Sequence, residues 1–184
     1  YQLVVREGDE FRLYVPAQGW SPNVKGGVTG AFFSLEQNAS VNVYVADDAG
    51  ELDIDGYWEK SKAHLSSSLE EFSAVERSES VVFGGQPAKK FLYSAKMTMI
   101  DNGVSSSKIY KFLTVLCRYE EKMYVFVYSA PEEYYDTHIQ DVEGDEDGAG
   151  IIPYFRFADA YVAFNKKPLT RKERANNVKK RDFL

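Results

Sequence analysis

The stretch MYVFVYSAPEEYYDTH, residues 123–138, decides the fold. Tyr124, Phe126 and Tyr128 alternate with Val125, Val127 and Ser129, a period of two that predicts a strand with apolar groups on both faces. The period then changes. Ser129 and Glu132 stand at capping-box spacing, Pro131 suits a first helical turn, and Glu133 favours a helix N-terminus through the helix dipole. Tyr135, Ile139 and Val142 continue at helical spacing. The paired glutamates are therefore read as helix-start residues and not as a general acid and base. The stretch is a joint between a two-faced strand and a helix.

Working outward, residues 73–130 read as a run of strands. GGQP (84–87) turns the chain between Val81-Val82-Phe83 and Phe91-Leu92-Tyr93, DNG (101–103) has the chemistry of a tight hairpin, and RYEEK (118–122) supplies the next reversal. Long strands joined by such short turns make an antiparallel meander. Near the start, Phe11, Leu13 and Val15 alternate with Arg12 and Tyr14 until Pro16 ends the strand. NVKGGVTG (23–30) reads as turn material, and AFFSLE and SVNVYVA as two strands split by Gln37-Asn38-Ala39. The first clear helix is DIDGYWEKSKAHLSSSLEEF, capped by Asp53 or Asp55, with a stripe of Trp58, Leu65, Leu69 and Phe72. His64 sits beside that stripe and is read as a surface or packing residue.

Composition sets bounds on class. Of 184 residues, 44% are hydrophobic and 15% aromatic, which excludes a disordered chain and favours sheet surfaces. Residues 166–184 carry eight Lys or Arg against Glu173 and Asp182, a net of +6, which leaves −12 on residues 1–165 of a chain whose total is −6. An acidic body argues against a nucleic-acid platform, which spreads positive charge over its folded face. No window reaches the roughly 18 to 20 apolar residues of a membrane span. The opening Tyr1 in place of Met is compatible with a removed N-terminal segment. One cysteine, Cys117, excludes an internal disulfide and a Cys-rich zinc site.

FRLYVPAQGW, GGQPAKKFLYSA and MYVFVYSAPEEYYDTHIQDV, followed by YFRF, resemble the PsbP-like superfamily over residues 10–157. That group takes in the extrinsic PsbP protein of photosystem II, a Ran-binding import factor of the Mog type and bacterial envelope proteins. The resemblance implies an α+β fold, a central antiparallel sheet flanked by helices, with no catalytic residues to carry over. It also implies function by binding macromolecules, and in some members divalent cations. Where the family's last helix runs on, EGDEDGAG (143–150) interrupts it here, so an extra loop and a further strand or helix ending near Phe164 are expected. A single PsbP-like domain over residues 1–164 is predicted, with a flexible basic tail at 165–184.

Little in the sequence carries catalytic chemistry. His64 and His138 are the only histidines, and Cys117 lies among apolar strand neighbours, so nucleophilic schemes have little to draw on. Phosphate-binding, dinucleotide and metalloprotease motifs are absent. Asp141, Glu143, Asp145 and Asp147 stand at alternate positions, a candidate set of oxygens for Ca²⁺ or another divalent cation. As a helix-loop-helix calcium loop the segment fails, because Glu146 stands where glycine is needed and Ile152 where the bidentate glutamate belongs. The expectation is a non-catalytic binding or accessory domain, not an enzyme, working outside the cytoplasm at a bacterial envelope with an unidentified macromolecular partner. A small-GTPase (Ran-like) regulator and a cation-binding protein are the alternatives.

Overall fold

Residues 1–5, 8–33, 37–46, 49–101 and 104–158 are described by the computed structural model. The chain opens with β1 (Gln2–Val4) and β2 (Phe11–Val15), then β3 (Trp20–Lys25), β4 (Val28–Phe33) and β5 (Ala39–Ala46). Helix α1 (Ile54–Ser68) leads into β6 (Glu70–Ala74), β7 (Glu79–Phe83), β8 (Gln86–Asp101), β9 (Val104–Tyr119) and β10 (Lys122–Pro131). Helix α2 (Glu132–Glu143), the single turn α3 (Ile151–Tyr154) and β11 (Arg156–Phe157) follow. The expected α+β architecture is present. One antiparallel sheet runs β3-β4-β5-β10-β9-β8-β6, with β7 also paired to β8, and a smaller sheet runs β1-β2-β11.

The large sheet is apolar on both faces because its central strands alternate. On β10, Tyr124, Phe126 and Tyr128 join Leu113, Val115 and Cys117 of β9 in a core closed by the small sheet, α2 and α3. Met123 and Val125, with Leu116, point the other way and pack with Tyr57 and Trp58 of α1. The core face is heavily aromatic: Phe83 stacks on Phe155 at 3.8 Å, and Phe157 on Tyr119 at 4.1 Å. The large sheet is therefore a partition between two apolar layers.

In three hairpins of the described residues both turn residues have positive φ: Gly26-Gly27, Gly84-Gly85 and Glu120-Glu121. This mirror-image turn follows the right-handed twist of the flanking strands. Glycine enters it without steric cost, and at Gly84 there is a second reason for it. A Cβ there would lie 2.6 Å from the ring of Phe157. Glu120 (φ 47°) and Glu121 (φ 65°) adopt the same geometry without that freedom.

Several expectations are corrected. Ser129 does not cap α2: it remains in β10 opposite Ser40, their hydroxyl oxygens 3.1 Å apart. The N-cap is Pro131, not a first-turn residue, and no side chain bonds the helix start. Strand pairing held Ser129 against a local alternative. Helix α1 ends at Ser68, so Leu69 is its C-cap and Phe72 lies in β6. Of the two candidate caps it is Asp53 that accepts from Gly56 N, at 2.7 Å. Asn23–Lys25 and Val28–Gly30 belong to strands, leaving only Gly26-Gly27 as turn. Asp101 pairs with Val104; Asn102 and Gly103 of the expected DNG turn lie outside the described residues, as do the segment ending near Phe164 and the tail at 165–184.

Candidate ligand groove

The acidic run after α2 is divided among separate partners. Asp141 Oδ2 accepts from Trp20 Nε1 at 2.9 Å, and Glu143 is ion-paired with Lys90. Asp145 Oδ1 accepts from the backbone N–H groups of Asp147 (3.0 Å) and Ala149 (2.9 Å), folding the loop on itself. Gly144, at φ 108°, ends the helix between them. Among the described residues no group of three or more His, Cys, Asp or Glu is placed to hold a metal ion.

The other reactive side chains are also apart. Glu132 and Glu133 open α2 and pair with Lys111 (3.3 Å) and Lys108 (2.6 Å). The Lys108 hydrogen bond holds the Glu133 carboxyl below the usual carboxylate range. Cys117 lies in the core, and burial pushes its thiol up to about 11. His138 is buried on α2, donating through Nε2 to Gln37 Oε1 and lying 4.0 Å from the ring of Phe33. Burial holds its imidazole below the ordinary histidine value, while Asp141, 3.9 Å from Nδ1, works in the opposite direction. These contacts tie α2 to β3 and β4.

An open concavity lies on the other face. A helix about 10 Å across covers roughly two strands spaced about 4.8 Å apart. Helix α1 lies nearest β6 and β9, its Tyr57 and Trp58 reach Met123 and Val125 of β10, and open space remains between it and Tyr44 of β5. The result is a cavity of about 370 Å³ between α1 and the sheet, within the size range of small-molecule sites. Its inner wall carries Trp58 and Tyr93, 5.9 Å apart, each backed by a stacked ring outside the lining: Phe91 behind Trp58 at 4.5 Å and Phe112 against Tyr93 at 4.6 Å. Burial raises the Tyr93 phenol above its ordinary value, a hydrogen bond with Thr114 opposing it.

Past Tyr44 and Val127 the cavity continues into a shallower depression of about 450 Å³, which reaches Asn23 and Lys25 of β3 and Ser129 of β10. On α1 the stripe Tyr57, Lys60, Ser61 and His64 faces the cavity at i, i+3, i+4 and i+7 spacing. His64 is thus an exposed residue at a groove rim, where the sequence indicated only surface or packing. The groove is assembled from α1 and several strands, and only the apolar second face of β10 announced it in the sequence.

No family model matches the chain, and comparison with curated proteins returns no match. Among solved structures, the chain is similar to cyanobacterial PsbP from Synechocystis sp. PCC 6803 at 18% identity, over 76% of this chain and 85% of that one, with a TM-score of 0.48. It is also similar to LpqN, involved in cell envelope biogenesis of Mycobacterium tuberculosis, at 14% identity over 83% and 88%, with a TM-score of 0.49. A Pseudomonas aeruginosa protein of unknown function matches at 14% identity over 76% and 90%, with a TM-score of 0.46. These are likenesses of fold alone, and what the groove can do is read from its own side chains. Among the described residues no helix is long and apolar enough to cross a membrane.

Proposed function

We propose that the chain is a non-catalytic binding domain that holds its ligand in the groove between α1 and the outer face of the large sheet. The observation that carries this reading is the aromatic wall of Tyr44, Tyr57, Trp58 and Tyr93 lining a cavity of about 370 Å³. Apolar walls with a few polar rim groups are the usual make of a ligand pocket. The dispersal of Cys117, His138 and the acidic residues over separate contacts supports binding over catalysis, since acid–base or nucleophilic chemistry needs such groups within hydrogen-bond reach of one another. The proposal includes work outside the cytoplasm, at a bacterial envelope. It is supported by the resemblance of the opening strand, the Gly-Gly-x-Pro turn and the strand-to-helix joint to PsbP-like proteins.

The test is titration with an uncharged solvatochromic dye, Nile red, monitored through energy transfer from Trp58. One saturable site is expected. Ser61→Trp, which places an indole at the rim, should abolish binding while leaving thermal unfolding unchanged. Binding that persists in the Ser61→Trp variant would refute the groove as the site.

A further inference from the structure

The face of the large sheet opposite the α1 groove carries a second concave surface. Helix α2 packs mainly on β10 and β9, and the sheet continues past it through β8 to β6 and β7. Two concavities lie along its flank. Val81, Val82, Lys90, Ile152, Pro153 and Arg156 line one of about 720 Å³, and Val75, Leu92, Ser94 and Tyr135 line another of about 340 Å³. Lys90, Leu92 and Ser94 alternate along β8 and so share a face, spanning about 13 Å. On α2, Glu143 borders the first concavity and Tyr135 the second, about 12 Å apart along the helix. The matching spans make the two concavities one strip beside α2. Its borders hold Val82, 67% exposed, and Val75, 52% exposed, the two most exposed large apolar side chains among the described residues.

The last described residues stand at the mouth of this strip. Arg156 lines it, Phe157 lies against the β7–β8 turn at Gly84, and the Ala158 N–H donates to Glu10 O at 2.8 Å. The sequence then supplies Tyr161, Val162 and Phe164, followed by the basic run 166–184 with its net of +6 against −12 on residues 1–165. Residues 161–164 lie within six residues of Ala158, a reach of at most about 20 Å. Exposed Glu76 and Glu79 flank the strip, and Lys90 on its floor is held by Glu79 at 2.9 Å and by Glu143. We propose that the chain's own residues 159–184 cover this strip, with Tyr161, Val162 and Phe164 in the concavity beside Arg156 and the basic run along Glu76 and Glu79. Removal of apolar surface from water fixes the place. The charge difference draws the segment to the acidic body, and the covalent link, worth an effective concentration in the mM range, favours its own body over that of a second copy.

The test uses the full chain with a nitroxide attached at Asn165→Cys and the backbone amides read by NMR. Cys117 is buried, which confines the label to position 165, and the spectrum with the label reduced checks that the fold is unchanged. Signal should be lost at the amides of Val81, Val82, Lys90 and Leu92 and kept at Tyr44 and Val127 on the opposite face. Tyr161→Ala combined with Phe164→Ala should restore the lost signals. Raising the salt from about 0.1 M to about 1 M shortens the screening length from about 10 Å to about 3 Å and should restore them only in part. Loss spread evenly over the surface, or confined to the exit beside Glu10 with none at Leu92, would overturn the docking. Full restoration by salt with no effect of the double substitution would overturn the apolar anchor. Loss appearing instead on an isotope-enriched, unlabelled chain mixed with a labelled one would overturn the intramolecular contact in favour of a second copy.

Discussion

The turn at Glu120-Glu121 gives the sharpest test of the physics of this sheet. Both residues lie in the left-handed region, at φ 47° and 65°, which costs an L-residue about 1–2 kcal/mol. Glu121→Gly removes that strain but loosens the unfolded chain by about 0.4–1 kcal/mol. The net expectation is a gain of about 0.5–1 kcal/mol. For a chain of this length each kcal/mol moves the unfolding midpoint by about 2–4 °C, so the variant should melt about 1–4 °C higher. The structure contains its own control. At Gly85, φ is 83° and nothing lies within 4 Å of a built Cβ, so Gly85→Ala isolates backbone strain, with an expected loss of about 1 kcal/mol. At Gly84 a Cβ would meet the buried Phe157 ring at 2.6 Å, so Gly84→Ala should lose about 1–3 kcal/mol more. Calorimetry and urea unfolding of the three variants read the series directly. A Glu121→Gly variant no more stable than the parent, together with a neutral Gly85→Ala, would refute the strain assigned to these turns.

Other consequences can be measured alongside. Since burial lowers the His138 pKa below the ordinary 6.5, the unfolded chain takes up a proton before the folded one does; stability from this group is whole above pH 6.5 and lost as pH falls below it. The melting midpoint should drop between pH 7 and 5, and His138→Gln should flatten that slope. Trp20→Phe should cost about 1 kcal/mol in urea unfolding through loss of the hydrogen bond to the half-exposed Asp141. Cys117 should react with a thiol reagent at the rate of unfolding and no faster, since its thiol is buried and pushed up to about 11.

Periodicity made the fold legible. Period two on β10, shifting to helical spacing at Glu132, located the joint, and the short turns gave the meander. Local chemistry was a poorer guide wherever long-range pairing competed with it. Ser129 had the spacing of a cap but stays opposite Ser40, and Phe72 had helical spacing but lies in β6, at the irregularity where its pairing with β8 shifts register. The candidate site was barely legible. Asp141, Glu143 and Asp145 stood out by sequence adjacency, yet Trp20, Lys90 and the loop's own backbone draw them apart. The groove residues Tyr44, Trp58, Tyr93 and Val127 lie far apart in sequence and meet only through the strand order, which adjacency does not encode.

The alternation along β10 has a consequence for how such a chain can diverge. Tyr124, Phe126 and Tyr128 belong to one apolar layer, while Val125 and Val127 border the groove in the other. Neighbouring codons thus answer to different demands. Changes at the valines reshape the groove while the interdigitated tyrosines and phenylalanine behind it stay as they are. A lineage built on this partition is free to vary its ligand without refolding, and relatives that keep the aromatic row while drifting at the alternate positions are what that freedom would leave behind.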